Sequence, residues 1–276
     1  MDSKISDTHR PFFQDDEAAL VEKFLGDGYV IIPSEDKASL ERIQRFLANK
    51  AADLLDLQEP EDATSFLDTI QDHIRPDNLN DFRLATYRAL NDEPWVRPAY
   101  FSAARRAVET IVGNELAMQR RINLSIQLPN DDSSLLPVHA DVWSGDSPYE
   151  IVLWIPMVDC FKTKSMFWIN KDVDEEVQSR FSEFEGKTAE DLWEEIEPHA
   201  SFLEIPFGSC LLFTQNVMHG NRLNLEPTTR WSMNCRFKSV MSPYSDKRLG
   251  EFFEPITLRP ATRMGLNYKL PGGFKE

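Results

Sequence analysis

The stretch RWSMNCRFK, residues 230–238, alternates without a break: Trp231, Met233, Cys235 and Phe237 fall on one side, and Arg230, Ser232, Asn234, Arg236 and Lys238 on the other. A period of two is that of a β-strand, whose successive side chains point to opposite faces. Residues 122–128 repeat the arrangement, with Ile122, Leu124, Ile126 and Leu128 opposite Asn123, Ser125 and Gln127. The apolar faces require a core, whereas polar faces of this kind usually meet solvent. If they instead line a cavity, strand parity makes Asn123, Ser125, Gln127, Asn234 and Arg236 pocket candidates. Lys238 reads as a solvated sheet residue.

Before residue 113 the pattern is helical. A helix over 17–25 is closed by Gly26 and Gly28, a short strand occupies 29–32, and Ser34 caps a long helix carrying Leu40, Ile43, Phe46, Leu47, Leu54 and Leu55 near the 3.6 period. Shorter helices are expected over 66–74, 82–90 and 103–112. Eleven Asp or Glu residues crowd 172–197, with Phe181, Phe184, Leu192 and Trp193 at partly helical spacing. This reads as a solvated helical excursion between strands, with a lid over a site as its functional alternative. The chain is therefore read as one domain, 1–276: mainly helical support over 1–113, a β core over 114–240 with the acidic insertion 172–197, and an extension over 241–276.

A chain of 276 residues, 41% of them hydrophobic, can bury a full core. No apolar run approaches a membrane span, and the polar, acidic N-terminus differs from a signal peptide, so a cytoplasmic location without membrane association is expected. Cys160, Cys210 and Cys235 are odd in number and lack metal or redox spacing, and they read as reduced structural thiols. A net charge of -16 argues against nucleic acid as partner, because phosphate binding needs a basic stripe. From Arg222 onward, however, ten Lys or Arg face five Asp or Glu, a balance that suits a small anionic substrate. Arg236, Arg248, Arg259 and Arg263 carry that inference.

His139 and Asp141, in the sequence PVHADVW at 137–143, stand at i and i+2 and project to one side of an extended chain. With five histidines and 46 acidic residues, such a pair is weak evidence by itself and could be a surface hydrogen-bonded pair. The second element is LLFTQNVMHG at 211–220, an apolar strand running through a polar turn to His219. His219 could be a satisfied core histidine. Brought to the first pair, it would complete a set of two imidazoles and one carboxylate that leaves three adjacent metal positions open, as iron(II) enzymes binding oxygen and a co-substrate require. Zinc favours closed tetrahedral sets or three ligands and water. Arg230, eleven residues later and followed by Ser232, offers a guanidinium fork and a hydroxyl to a carboxylate. His9, His73 and His199 read as surface residues.

Together, the His-x-Asp, the distant His-Gly, Asn224 five residues on and the Arg-x-Ser resemble the iron(II)/2-oxoglutarate dioxygenase superfamily, in its phytanoyl-CoA hydroxylase-like branch. Within it the chain is similar to oxygenases of sugar and polysaccharide biosynthesis clusters. The resemblance spans about residues 122–238 and implies a double-stranded β-helix, or jelly roll, backed by helices. It implies His139, Asp141 and His219 as ligands of Fe(II), with O2 taking the last open position. The 2-oxoglutarate would have its far carboxylate on Arg230 and Ser232, with Gln127 beside it, and Asn123, Asn234 and Arg236 would face a small-molecule substrate. Oxidative decarboxylation to succinate and carbon dioxide would accompany hydroxylation, possible substrates being a sugar or nucleotide-linked sugar. Two rivals remain: a catalytically silent jelly-roll carbohydrate-binding module, and a cupin-like isomerase using a metal without 2-oxoglutarate.

Overall fold

The computed structural model describes residues 4–273, and most of its helices precede most of its strands along the chain. Helix α1 (Asp15–Asp27) opens on a reciprocal cap between Gln14 and Glu17. It runs through Gly26 and ends at Gly28, whose φ of 79° is the left-handed conformation, so one of the two expected glycine stops operates and the other does not. Strand β1 (Tyr29–Pro33) follows directly. Helix α2 (Lys37–Leu54) is capped by Asp36, which accepts from the Ser39 amide at 3.0 Å; Ser34 instead accepts from the Asp36 amide at 3.2 Å, shaping the turn before the helix. The carboxylate wins because it sits where the first free amides point. Leu40, Ile43 and Leu47 are buried as the periodicity requires, whereas Leu54, in the last turn, is exposed.

Helices α4 (Leu79–Asp92) and α6 (Arg105–Val112) fall where the apolar spacing placed them, whereas the helix expected over 66–74 is the earlier and shorter α3 (Ala63–Asp68), which ends at Thr69 and gives way to a 3-10 turn over Ile70–Asp72. Helix α5 (Val96–Ser102) escaped that reading because Pro98 interrupts it, yet Pro98 lies in the first turn, where a missing amide costs no intrahelical bond.

Seven antiparallel strands form the major sheet. Its order is β1, β7 (Ser209–Thr214), β4 (Glu150–Pro156), β9 (Arg230–Ser239), β2 (Leu116–Gln119) and β10 (Phe253–Pro255), with β3 (Asn123–Gln127) also paired to β9. The N-terminal region thus supplies an edge strand as well as support helices, and β10 carries the sheet into the C-terminal extension. A minor sheet holds β6 (Ala200–Phe202), β5 (Met166–Ile169) and β8 (His219–Asn221).

Residues paired across a sheet share a face, and the register pairs Val152 with Arg236, Trp154 with Asn234, Ser125 with Ser232 and Asn123 with Asn234. On the opposite face Trp231, Met233, Cys235, Phe237, Leu153 and Leu212 pack against Leu40, Ile43, Leu47, Tyr100 and Val108 of the helices. Each fully buried leucine or phenylalanine there contributes about 1.5–3 kcal/mol of burial free energy. Toward the minor sheet, Val152, Trp154, Leu211 and Phe213 meet Met166, Trp168, Leu203 and Ile205. The major sheet lies between helices and minor sheet, and its polar face opens into the gap between the sheets.

The acidic insertion lies between β5 and β6 as α7 (Lys171–Ser179) and α8 (Ala189–Ile196). Val177, Leu192, Trp193 and Ile196 cover Phe167 and Ile169 of the minor sheet. Among the described residues no helix is long and apolar enough to cross a membrane. All three cysteines are free and buried, and burial pushes each thiol up to about 12, as suits packing residues.

Candidate functional site

His139 and His219 stand side by side because their backbones pair: the His139 amide donates to the His219 carbonyl at 3.0 Å, and the His219 amide donates back at 2.9 Å. Gly220 permits this approach. A Cβ there would lie 2.6 Å from the Leu136 carbonyl oxygen, 2.9 Å from that of Pro137 and 2.8 Å from the Phe167 ring. The His-Gly pair is thus a packing requirement of the two chains that carry the imidazoles.

Each ring is fixed in one tautomer. His139 Nδ1 lies 2.9 Å from the Pro137 carbonyl and His219 Nδ1 2.9 Å from the Val217 carbonyl; a carbonyl can only accept, so both Nδ1 atoms carry the proton. Both Nε2 lone pairs are left free, His139 Nε2 lying 3.6 Å from Asp141 Oδ1 and His219 Nε2 4.0 Å from Oδ2. Asp141 opens a short 3-10 turn (Asp141–Ser144) instead of continuing an extended chain, yet its carboxylate joins the imidazoles, with one ligand atom of each residue within 4.8 Å of the others. The ring of His219 is stacked 5.9 Å from Trp168 and meets the Phe213 edge at 4.9 Å.

Burial pushes the Asp141 carboxyl up, but the adjoining imidazoles of His139 and His219 and the Arg236 guanidinium outweigh it and hold the group well below the usual carboxylate range. Burial and the neighbouring His139 push His219 down to about 4. At neutral pH the trio is therefore one carboxylate and a neutral His219 beside His139, the protonation pattern a divalent cation binds.

The trio lies in a cavity of about 600 Å³ whose walls include Ser125, Asn123, Arg230, Ser232, Asn234 and Arg236 from β3 and β9. Arg230 is 5% exposed. It donates to Ser125 Oγ at 3.1 Å, its Nε has no partner, and burial pushes it down to about 10. The other lysine and arginine side chains on the wall are paired: Arg83 with Asp131 at 2.8 Å, Arg236 with Asp141 at 3.1 Å, and Lys247 with Asp146 at 2.6 Å. Among the described residues Arg230 faces no carboxylate, and a buried guanidinium without one calls for an anion.

Several sequence expectations change here. Gln127 lies opposite Arg230 in the register but is fully buried outside the cavity wall, its amide donating to the Arg222 carbonyl at 2.9 Å. Arg236 lines the cavity as parity required, but it is engaged by Asp141 and Asp146 and is not free for a substrate anion. Arg259 pairs with Glu109 at 3.0 Å, and neither Arg248 nor Arg263 lines the cavity, so the basic tail does not form the expected positive wall. Lys238 is fully buried, 3.9 Å from Glu150 and 3.6 Å from the centre of the Tyr244 ring, where solvent was expected. Asn224 is buried and donates to the Thr228 carbonyl at 2.9 Å, organising a turn.

None of the cavity wall comes from the acidic insertion. The insertion instead reaches the site from behind: Asp174 accepts from the Met218 amide at 2.7 Å, next to His219, and Phe181 packs 4.6 Å from Trp143. Asp146, Asp174 and Lys247 were not singled out from the sequence, because each stands without a recognisable motif.

No protein-family model matches the chain, and neither does any curated protein. Solved structures do. The chain shares its fold with a non-haem monooxygenase. That protein, ThoJ in its nickel complex, is 18% identical, with 92% of this chain and 89% of ThoJ covered at a TM-score of 0.55. SnoK, a non-haem α-ketoglutarate-dependent carbocyclase of nogalamycin biosynthesis, is 14% identical over 89% of this chain and 97% of its own, at 0.52. HygX from Streptomyces hygroscopicus, solved with nickel and 2-oxoglutarate bound, is 13% identical over 86% of this chain and 90% of its own, at 0.51. Identity this low establishes a common fold, and chemistry must be argued from the site.

Proposed function

We propose that this chain is a non-haem iron(II), 2-oxoglutarate-dependent oxygenase that hydroxylates a polar small molecule. The observation that carries the reading is Arg230: a buried guanidinium without a carboxylate partner, in the same cavity as two imidazole lone pairs and an ionised carboxylate. A site for a metal alone would not need it, which disfavours a cupin-like isomerase, and a carbohydrate-binding module would need neither feature. On this reading the two sheets are the halves of a jelly roll, and residues 1–276 act as one catalytic domain.

His139, Asp141 and His219 would hold the iron, and Arg230 with Ser125 and Ser232 would hold the distal carboxylate of 2-oxoglutarate. When bound, these groups supply oxidation of 2-oxoglutarate to succinate and carbon dioxide coupled to reduction of O2. The protein positions and shields. Val152, Trp154, Met166 and Phe213 give the cavity an apolar wall near the imidazoles that excludes water. Asn123 donates to Asn234 Oδ1 at 2.9 Å, leaving the Asn234 amide nitrogen for a substrate oxygen.

With Arg83, Arg236 and Lys247 all paired, the wall is rich in amides and hydroxyls and poor in free charge. This favours a neutral, sugar-like substrate over a strongly anionic one. SnoK is a carbocyclase on a shared fold, so the fold by itself does not fix the outcome of oxidation. The test is anaerobic addition of iron(II) and 2-oxoglutarate. A visible metal-to-ligand charge-transfer band requiring both is expected, and its absence at saturating concentrations overturns the assignment.

A further inference from the structure

Arg236 sits between two carboxylates. One guanidinium nitrogen donates to Asp141 Oδ1 at 3.1 Å, and Nε lies 3.2 Å from Asp146 Oδ1, an ion-pair distance without hydrogen-bond alignment. Asp146 is 3% exposed and also receives Lys247 at 2.6 Å. Lys247 belongs to the C-terminal extension, and that segment is strapped onto the loop following Asp141. Ser147 Oγ donates to the Pro243 carbonyl at 2.8 Å, and the Asp246 amide donates to the Gly145 carbonyl at 3.3 Å. Gly145 has a φ of 84°, a left-handed conformation that favours glycine, and the Asp246 side chain lies over it.

We propose that Lys247, Asp146 and Arg236 form a positioning relay that fixes the carboxylate of Asp141 and so makes the C-terminal extension part of the metal site. The proposal rests on the metal-site reading above. With Arg236 donating to Oδ1, Asp141 has Oδ2, on the His219 side, left to offer. Lys247 balances Asp146. Without it, the buried Asp146 carboxylate has Arg236 as its remaining cationic partner and draws the guanidinium away from Asp141.

A through-space effect predicts the opposite sign. Removing the Lys247 charge lowers repulsion of a bound cation, so electrostatics alone would tighten metal binding. Loss of positioning would weaken it, as partners behind metal ligands commonly do by roughly ten- to a hundredfold.

The experiment is anaerobic calorimetric titration of the full chain with cobalt(II), recording its ligand-field spectrum. Lys247→Met is expected to weaken binding and alter the spectrum, whereas Lys247→Arg, which keeps the ion pair, should restore both. Arg236→Lys keeps the charge but cannot span two carboxylates, and it should weaken binding as well. Unchanged or tighter binding by Lys247→Met overturns the relay. If Lys247→Met fails to fold, Arg236→Lys decides, and wild-type affinity there overturns it. Wild-type chain that binds no cobalt(II) would remove the metal reading itself, an outcome distinct from variants that bind like wild type.

Discussion

The backbones of His139 and His219 are hydrogen-bonded to each other in both directions, so main chain and not side chain sets the spacing of the two imidazoles. The rings are then aimed by bonds from Nδ1 to carbonyls two residues back, on Pro137 and Val217. A ligand side chain can be removed without breaking the frame that presents it.

Asp141→Ala and His219→Ala are therefore each expected to abolish succinate formation and iron(II) binding while the chain stays folded. His219→Ala should cost more stability, about 0.5–3 kcal/mol, because the ring packs between Trp168 and Phe213. Succinate release and urea unfolding check the pair; near-native turnover in either variant would remove that residue from the metal set.

Gly220→Ala tests the frame itself. An added methyl meets two carbonyl oxygens and the Phe167 ring inside 3 Å, and backbone cannot yield as a flexible side chain does. The expected result is a loss of about 1–3 kcal/mol in unfolding free energy together with weakened metal binding. A variant with unchanged stability and affinity would show that the two chains do not need this contact.

Much of the site was legible because it rides on strand periodicity. The alternation through 230–238 placed Arg230, Ser232, Asn234 and Arg236 on one face, and the structure puts all four on the cavity wall. Parity gives the face but not the depth along it, which is why Gln127, on the right face, lies buried beyond the cavity. Nor does it reveal partners: Arg236 is drawn to Asp141 and Asp146, contacts that depend on how a loop and the C-terminal segment fold back. Ser34 and Asp36 show the same limit locally, since both can cap a helix and the geometry of the turn decides between them. Lys247, nine residues past the end of the 122–238 motif region read from the sequence, has no local pattern to mark it.

Arg230→Lys should raise the 2-oxoglutarate requirement by roughly ten- to a hundredfold, matching the about 1.5–3 kcal/mol of a charge-assisted hydrogen bond, with a much smaller change for iron(II). An ammonium keeps the charge but loses the planar fork, and Ser125 loses its donor. Apparent affinities for both, from initial rates of succinate formation, make the comparison. An unchanged 2-oxoglutarate affinity would assign its carboxylate to another residue.

Asp174 provides a pH test of how the acidic insertion supports the site. Burial pushes its carboxyl up to about 6, against the hydrogen bonds it accepts from the Met218 amide and Gln178. The unfolded chain releases this proton near the ordinary value of 3.8, so between about pH 4 and 6 the native state holds a proton that the unfolded state has lost. Stability from this group is therefore present below about pH 4 and declines as pH rises toward 6, by up to about 3 kcal/mol. Asp174→Asn keeps an acceptor for Met218 but cannot titrate. It also loses the acceptor for Gln178, a cost independent of pH, so the slope and not the offset carries the test. Urea unfolding of both proteins from pH 4 to 7, with chelator present to keep metal out of the comparison, should give a wild-type-minus-variant difference that falls across pH 4–6 and flattens above. A difference that stays level would mean that Asp174 is ionised in the native state throughout this range, and that the hydrogen bonds from Met218 and Gln178 outweigh its burial.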